Sequence, residues 1–572
     1  MPILLGIVTI CGVAYVMDVQ WLLSSVQIML AVCGVLGGCL GLGWLMTRSL
    51  LWDVAGMIGL GIMGTLLLPI SIMVGPKWGL LLLGVGWWQL WKMRWTWSIR
   101  LSYQGMLALL LGVLAVWNAQ QVLIDTDSLY YHAALPKHMW LQNGLLGGEL
   151  HPNGSRPLIW HLPLTMAYGL GGTEAVVLMS SWVAIAAWFS LGQMCERSVK
   201  GTGWWIWMLV LASYSLLEQT MVVANNMVVL WWVTLAYRER QRVWIWGALM
   251  GFAVVGKFTA VAVVGLIGCF TKRPLMIKIQ AASVVLGLVA VWLLRNWAEN
   301  LHPLFPYAGW DMNLQFLWVE KYGMGREWVD FALAPWNLLV HAEIDSFQFL
   351  GQLSPAFGLL GVWGVYGIFR HRRWRAGVIL LGAFAWWFVG PHWIRHLFPM
   401  MGLFIVLSIE GLSIRLFHHV LFGLACLIGL PNNVSPFVQM QVDRVSGRLN
   451  PPGLAATNWL NEHATDGSAA LFCLWTAAYL DHPYVLSSVE DHTPIRHWSL
   501  KYGVDAIPRL KEQGVRYVAF GPHTFYPSAY PFLSKAELQR DWIDPMMQME
   551  DQLLEHGRWI VRLDGVNIYR LD

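Results

Sequence analysis

The sequence predicts a polytopic α-helical membrane protein of about 13 to 15 spans, ending in one small soluble α/β domain at the C-terminus. Three observations lead there. Of 572 residues, 57% are hydrophobic and only 12% are charged, about half the charged fraction of an ordinary soluble domain. Soluble cores cannot hide that much apolar surface, so lipid must cover it. Apolar runs of near membrane-spanning length recur along the first three quarters of the chain. The composition then changes near residue 431: 25 Lys+Arg against 17 Asp+Glu precede it, net +8, and 12 against 16 follow it, net −4.

The apolar runs lie at 2 to 17, 21 to 45, 50 to 74, 78 to 91 and 103 to 123, so five crossings precede the first long polar segment. Ten more follow, near 174 to 194, 203 to 217, 221 to 237, 243 to 256, 258 to 271, 276 to 295, 353 to 370, 376 to 390, 396 to 413 and 417 to 430. Several are short for a hydrocarbon layer of about 30 Å, which is why the count spans a range. The first run has no basic residue ahead of it and so reads as a retained span rather than a cleaved signal. Trp87, Trp88, Trp91 and Trp95 end apolar runs, where interfacial aromatic belts belong, although core packing would also account for them. Six of the seven cysteines lie in or beside apolar segments, leaving Cys473 alone in the soluble part, so no disulfide framework is available.

Orientation follows from the short loops. Arg48, Lys92, Arg94, Arg100, Arg197, Lys200, Arg238, Arg240, Arg242, Lys272, Arg273, Lys278 and the cluster Arg370, Arg372, Arg373 and Arg375 fall on one side if the spans alternate. That side is cytoplasmic by the positive-inside rule. The alternation places residues 124 to 172, the loop 296 to 352 and the domain 431 to 572 together on the outer, periplasmic or extracellular side of an inner (cell) membrane. The domains expected are therefore spans 1 to 123, a first outer loop 124 to 172, further spans 173 to 430 and the soluble domain 431 to 572. In the last, "LAATNWLNEHA" and "VDAIPRLKEQG" read as amphipathic helices and "AALFCLW", "VRYVAF" and "RWIVRL" as strands. Asp564-Gly565 reads as a hairpin turn. The domain has no phosphate-cradling loop, no paired CxxC and no nucleophile elbow, and no chemistry is assigned to it.

The segment "LIDTDSLYYHAALPKHMWLQNG" carries the strongest chemical signal: Asp125 and Asp127 follow directly on a span and precede an aromatic-rich stretch. If a helix starts at Ser128 and is interrupted by Pro136, Asp127 stands at its N-terminus, where backbone N–H groups stabilise a carboxylate, and it could equally be a plain N-cap. Arg156, Lys257, Arg295 and Arg395 break the charge rule by lying on the outer side. Singly such cations are usually snorkelling or helix-end charges; as a set they suit an anionic phosphate or pyrophosphate. His132, His138, His151 and His161 show no HExxH-like spacing, so no metal site and no cofactor is assigned. Asn153-Gly-Ser155 and Asn433-Val-Ser435 match the glycosylation acceptor pattern, which is too short to decide anything.

With these residues in place, the stretch 103 to 430 resembles the glycosyltransferase C-fold superfamily, in the group of protein O-mannosyltransferase-like enzymes that includes the lipid A aminoarabinose and galacturonic acid transferases. The resemblance rests on "DSLYYHAALPKHMWLQNG", "NGSRPLIWHLPLTMAYGLGG", "GKFTAV", "LLRNWAENLHPLFP" and "RHLFPMMGLFIV", in that order. It implies that Asp127 is the catalytic loop acid and that Lys257, Arg295 and Arg395 match family site positions; the outer-side cations, Arg156 among them, are expected to hold the donor phosphate, and Asp125 to assist Asp127. Tyr131, His132 and Asn296 are further site candidates by the same resemblance. It implies a polyprenyl-phosphate sugar as donor, a lipid, glycan or protein as acceptor, and no nucleic-acid partner. The chain departs from the pattern at Ser128, where several members carry a second acid, at Ser155 and Arg156, which replace a Lys-Pro-Pro start, and in about four additional leading spans.

In the expected reaction, Asp127 accepts the acceptor's proton as it attacks the anomeric carbon, and the cations neutralise the departing lipid phosphate. A carboxylate in water is a weak base, so the site requires partial desolvation or tight orientation of the acceptor. Two other classes stay open: a transporter or flippase for an anionic lipid or solute, and a non-catalytic scaffold. The first would favour charges near span centres and inverted repeats, whereas here the charges cluster at span ends.

Overall fold

The computed structural model describes residues 19–48, 51–92, 102–305, 325–342, 349, 351–390, 392–410, 412, 416–464, 466–486, 493–521 and 534–571. The run at 2 to 17 and the residues Trp95, Arg94 and Arg100 lie outside them. In chain order the helices of the apolar part are α1 (Val19–Thr47), α2 (Trp52–Met73), α3 (Gly79–Lys92), α4 (Tyr103–Ala119), α5 (Ala134–Leu141), α6 (His161–Ser198), α7 (Gly203–Leu211), α8 (Tyr214–Met221) and α9 (Asn226–Arg238). They continue as α10 (Val243–Gly256), α11 (Ala260–Phe270), α12 (Leu275–Ala298), α13 (Trp328–Val340), α14 (Ala356–Arg370), α15 (Trp374–Val389), α16 (Phe398–Glu410) and α17 (Leu416–Val445). Among the described residues, α1, α2, α6, α12 and α17 are long and apolar enough to cross a membrane. The bent pair α8–α9, which turns by 104° across its break, makes a sixth if counted as one span. Among the described residues, several other expected crossings correspond to shorter apolar helices such as α10, α11, α14, α15 and α16. The protein is a multi-pass membrane protein.

Helix packing in the leading part rests on glycine. A Cβ at Gly43 would lie 1.7 Å from Ala55 O, and one at Gly59 would lie 1.6 Å from Cys39 O. The backbones of α1 and α2 touch there, as small residues permit within lipid. α6 is broken at Gly171 and Gly172, the latter at φ 73°. Glycine alone adopts that backbone readily, so the second half of α6 forms the expected span from 174. Tryptophan follows both readings: Trp88 and Trp91 are exposed, with Lys92 lying over the Trp88 ring at 3.7 Å, whereas Trp188, Trp232 and Trp246 are fully buried. Trp188 Nε1 donates to Thr220 Oγ1 at 2.9 Å and Trp232 Nε1 to Met57 O at 3.0 Å, which satisfies their one polar atom.

Three of the basic loop residues are tied to neighbouring loops or helix ends. Arg238 holds buried Asp53 through two bonds, 2.6 and 2.9 Å long, while Arg242 donates to Thr47 O and Arg273 to Arg240 O. The expected boundary at 431 marks a change in polarity rather than the end of a helix, because α17 runs on through Pro431 and Pro436 to Val445. Asn433 is buried inside it and bonded to Gly429 O, which removes it as an open glycosylation acceptor.

The C-terminal domain contains α18 (Leu454–His463), β1 (Ser468–Phe472), β2 (Tyr484–Val485), α19 (Thr493–Tyr502), α20 (Ala506–Glu512), β3 (Val515–Phe520), α21 (Lys535–Leu538), α22 (Asp544–His556), β4 (Gly557–Leu563) and β5 (Val566–Leu571). Its sheet has the order β2-β1-β3-β5-β4, parallel from β2 to β3 and antiparallel through β5 and β4. Asp564 (φ 48°) and Gly565 (φ 80°) make the predicted two-residue turn, whose paired positive φ values match the twist of the hairpin.

Candidate functional site

The loop after α4 is where the site begins. A helical turn starts at Thr126, and its cap is Asp125: Asp125 Oδ2 accepts from Ser128 N at 2.8 Å and from Ser128 Oγ at 2.7 Å. Asp127 does stand at the helix N-terminus, as expected, but the expectation that backbone N–H groups hold its carboxylate is corrected. Asp127 lies within the first turn, makes no capping bond, and pairs with Arg395 instead. A π turn, Ser128–His132, follows, and Pro136 sits in the first turn of α5 without interrupting it, a position where its missing N–H costs nothing. α5 is buried from Ala134 to Met139 rather than lying open on the membrane surface.

Four other parts of the chain bring side chains to this turn. Arg395, in the short 3-10 turn before α16, reaches Asp127 and lies over the Trp393 ring at 3.9 Å. Lys257 occupies the break between α10 and α11, in extended backbone, and donates to Asn226 Oδ1 at 2.5 Å. That asparagine opens α9, and its neighbour Asn225 bonds Gly256 O at 2.7 Å, so the two helix breaks are tied together. Arg156 faces the Tyr131 ring at 5.4 Å. His132 stacks on His161, with ring planes 5° apart and facing nitrogens 2.9 Å apart.

Burial first, and then the Asp127 charge, push the Asp125 carboxyl up from its ordinary value. Burial first, and then Arg395, bring the Lys257 ammonium down to about 7. His132 is pushed well down by burial and then by His161, with Arg156, Arg395 and Lys257 adding to the effect, so it stands neutral. Asp125, Asp127, Tyr131, Arg156, Lys257 and Arg395 are all half-buried. The result is a mixed-charge cluster with partial solvent access, which suits binding of an anion next to a carboxylate.

The structure thus brings together Asp125, Asp127, Tyr131, His132, Arg156, Lys257 and Arg395. Arg295 and Asn296 go elsewhere. The Arg295 guanidinium is buried and occupied by Gly154 O (2.7 Å), Leu146 O (3.0 Å) and Glu299 (2.9 Å), and Asn296 Nδ2 donates to Pro303 O and Phe305 O. Arg295 therefore pins the first polar segment to the end of α12. Its replacement by Ala leaves two buried carbonyls without donors and should cost roughly 3 kcal/mol. Thermal unfolding should register that loss.

Sequence reasoning missed Glu218, at the end of α8, which interacts electrostatically with Asp125, Arg395 and Asp127. It also missed Ser128, which bridges Asp125 to Val223 O and N across the α8–α9 break, and His396, which feels Lys257, Arg395 and Arg156. The signal for Glu218 was available: a lone acid in an apolar run is a site candidate by default. Among the described residues no group of three or more His, Cys, Asp or Glu could hold a metal ion.

No protein family and no curated protein matches the chain. Among solved structures it is similar to the crystal structure of ArnT from Cupriavidus metallidurans bound to undecaprenyl phosphate. The identity is 12% and the TM-score 0.45, over 82% of this chain and 97% of that one.

Proposed function

We propose that this protein is a membrane-embedded glycosyltransferase that moves a sugar from a polyprenyl-phosphate donor to a lipid, glycan or protein acceptor on the outer side of the membrane. One arrangement carries the reading: Asp127 beside Arg395, with Asp125, Lys257 and Arg156 in the same half-buried cluster. An acceptor hydroxyl attacks the anomeric carbon; a C–O bond forms as the bond from that carbon to the phosphate oxygen breaks. The hydroxyl proton passes to Asp127, and the electron pair leaves with the polyprenyl phosphate. Arg395, Lys257 and Arg156 offset the charge that develops there. The Arg395 contact gives the site an order of events: a bound phosphate competes with Asp127 for the guanidinium, so donor arrival releases the carboxylate to act as base.

The bent pair α8–α9 with Glu218 beside its break is the observation that favours a transporter, since discontinuous helices line such pathways. Mass spectrometry of lipids, surface polysaccharides and glycoproteins from cells with and without the gene separates the two. Loss of one sugar together with accumulated donor supports transfer. Unchanged glycans with an altered solute or lipid distribution support transport and overturn the proposal.

A further inference from the structure

The loop that carries Asp125 and Asp127 is held from the far end of the chain. Leu123 N donates to Tyr479 Oη at 2.5 Å, and the same hydroxyl faces Leu123 O at 3.4 Å. One residue earlier, Val122 O accepts from Arg444 Nε at 2.9 Å, and Arg444 also donates to Asn118 Oδ1 at 2.6 Å and Gln441 Oε1 at 3.0 Å. Asn118 in turn donates to Met221 O at 2.8 Å, at the α8–α9 break. On the other side of the carboxylates, Lys137 donates to Ala478 O at 3.1 Å and pairs with Asp481 at 2.7 Å, and His138 donates to Ala477 O at 3.0 Å.

The short 3-10 turn Thr476–Tyr479 of the C-terminal domain therefore grips the segment both before and after the two acids. Leu123, Lys137, His138 and Arg444 are buried. Water is a poor substitute for their partners there, and buried backbone groups demand one. A connecting loop ordinarily satisfies its backbone locally or with solvent. Here it depends on groups more than 300 positions away, and the carboxylates sit two to four residues beyond the grip.

We propose that Tyr479 and Arg444 are positioning residues of the site: the C-terminal domain and the end of α17 fix the backbone at 122 and 123 so that Asp125 and Asp127 meet Arg395. This rests on the transferase reading for its catalytic consequence, though not for the clamp itself. It gives the C-terminal domain, to which the sequence assigns no chemistry, a defined part in the reaction.

The test uses the full-length protein in lipid nanodiscs with Tyr479→Phe, which removes one hydroxyl and keeps the ring packed. Hydrogen–deuterium exchange of peptides covering 120–133 should rise about tenfold, while peptides from α1 and α2 stay unchanged. In membranes, the saturated rate of sugar transfer should fall at least about tenfold, with the half-saturating donor concentration within about twofold. Combined with Asp127→Asn, Tyr479→Phe should add little, since both act through one carboxylate. Unchanged exchange in 120–133 overturns the clamp. Raised exchange with an unchanged saturated rate overturns the positioning role. Should the wild type transfer no sugar at all, the transferase reading fails, and the exchange measurement alone decides the clamp.

Discussion

Asp127→Asn should lower sugar transfer by about 10²- to 10⁴-fold, the usual range for loss of a positioned general base. The same change removes the negative charge that Arg395 faces in the donor-free site. Affinity for undecaprenyl phosphate should therefore rise, by about tenfold for an ion pair of ordinary strength at a half-buried position. The two readouts move in opposite directions, which a folding defect cannot produce, because misfolding weakens both. Native mass spectrometry in detergent gives the affinity and glycan restoration in the deletion strain gives the rate. A variant that transfers at the wild-type rate would remove Asp127 from the mechanism.

Binding of the same probe should weaken as pH rises above about 7, and Lys257 supplies the reason. Burial and the Arg395 charge have lowered its ammonium to about 7. A bound phosphate favours the charged form, so binding above that pH takes up a proton, and affinity falls as the proton becomes scarce. The probe's own second ionisation, near 6, works in the opposite sense and is complete before the fall begins. Between pH 7 and 8.5 the dissociation constant should increase about tenfold. Lys257→Arg, whose guanidinium stays charged throughout, should flatten that limb while leaving the probe unchanged. The groups that face Lys257 are Arg395, Asp127, Arg156 and the neutral ring of His396. A dependence that persists in Lys257→Arg would assign it to another of them.

Much of this could be read before any coordinates. Membrane embedding followed from apolar content, and the C-terminal α/β domain from its charge balance and from alternating strands such as "VRYVAF". Asp564-Gly565 announced its own turn, because few pairs accept two positive φ values. Asp127, Arg156, Lys257 and Arg395 stood out as candidates because charge at a span end has few structural uses, and the structure places them in one cluster. Arg295 looked the same in sequence but serves backbone carbonyls, and composition does not reveal which cations are committed to backbone groups. Glu218 was overlooked because it falls in the short gap between the runs 203 to 217 and 221 to 237, which reads as a turn between two spans. The reach of α17 past Pro431 escaped for a different reason: polarity changes where the helix leaves the apolar layer, well before its hydrogen bonding ends. Beyond these residues, pairing at sequence distances of several hundred, as between Leu123 and Tyr479, leaves no local trace.

That last contact bears on how the protein is made. Synthesis proceeds from the N-terminus, and the spans that carry Asp127, Lys257 and Arg395 emerge before residue 479 exists. The carbonyl of Val122 lacks its partner until Arg444 is made, and the amide of Leu123 lacks its own until Tyr479 follows. The segment bearing the two acids is therefore inserted well before its backbone gains its last partners, and a chain truncated between Arg395 and Arg444 holds every charged group of the site without the frame that aligns them.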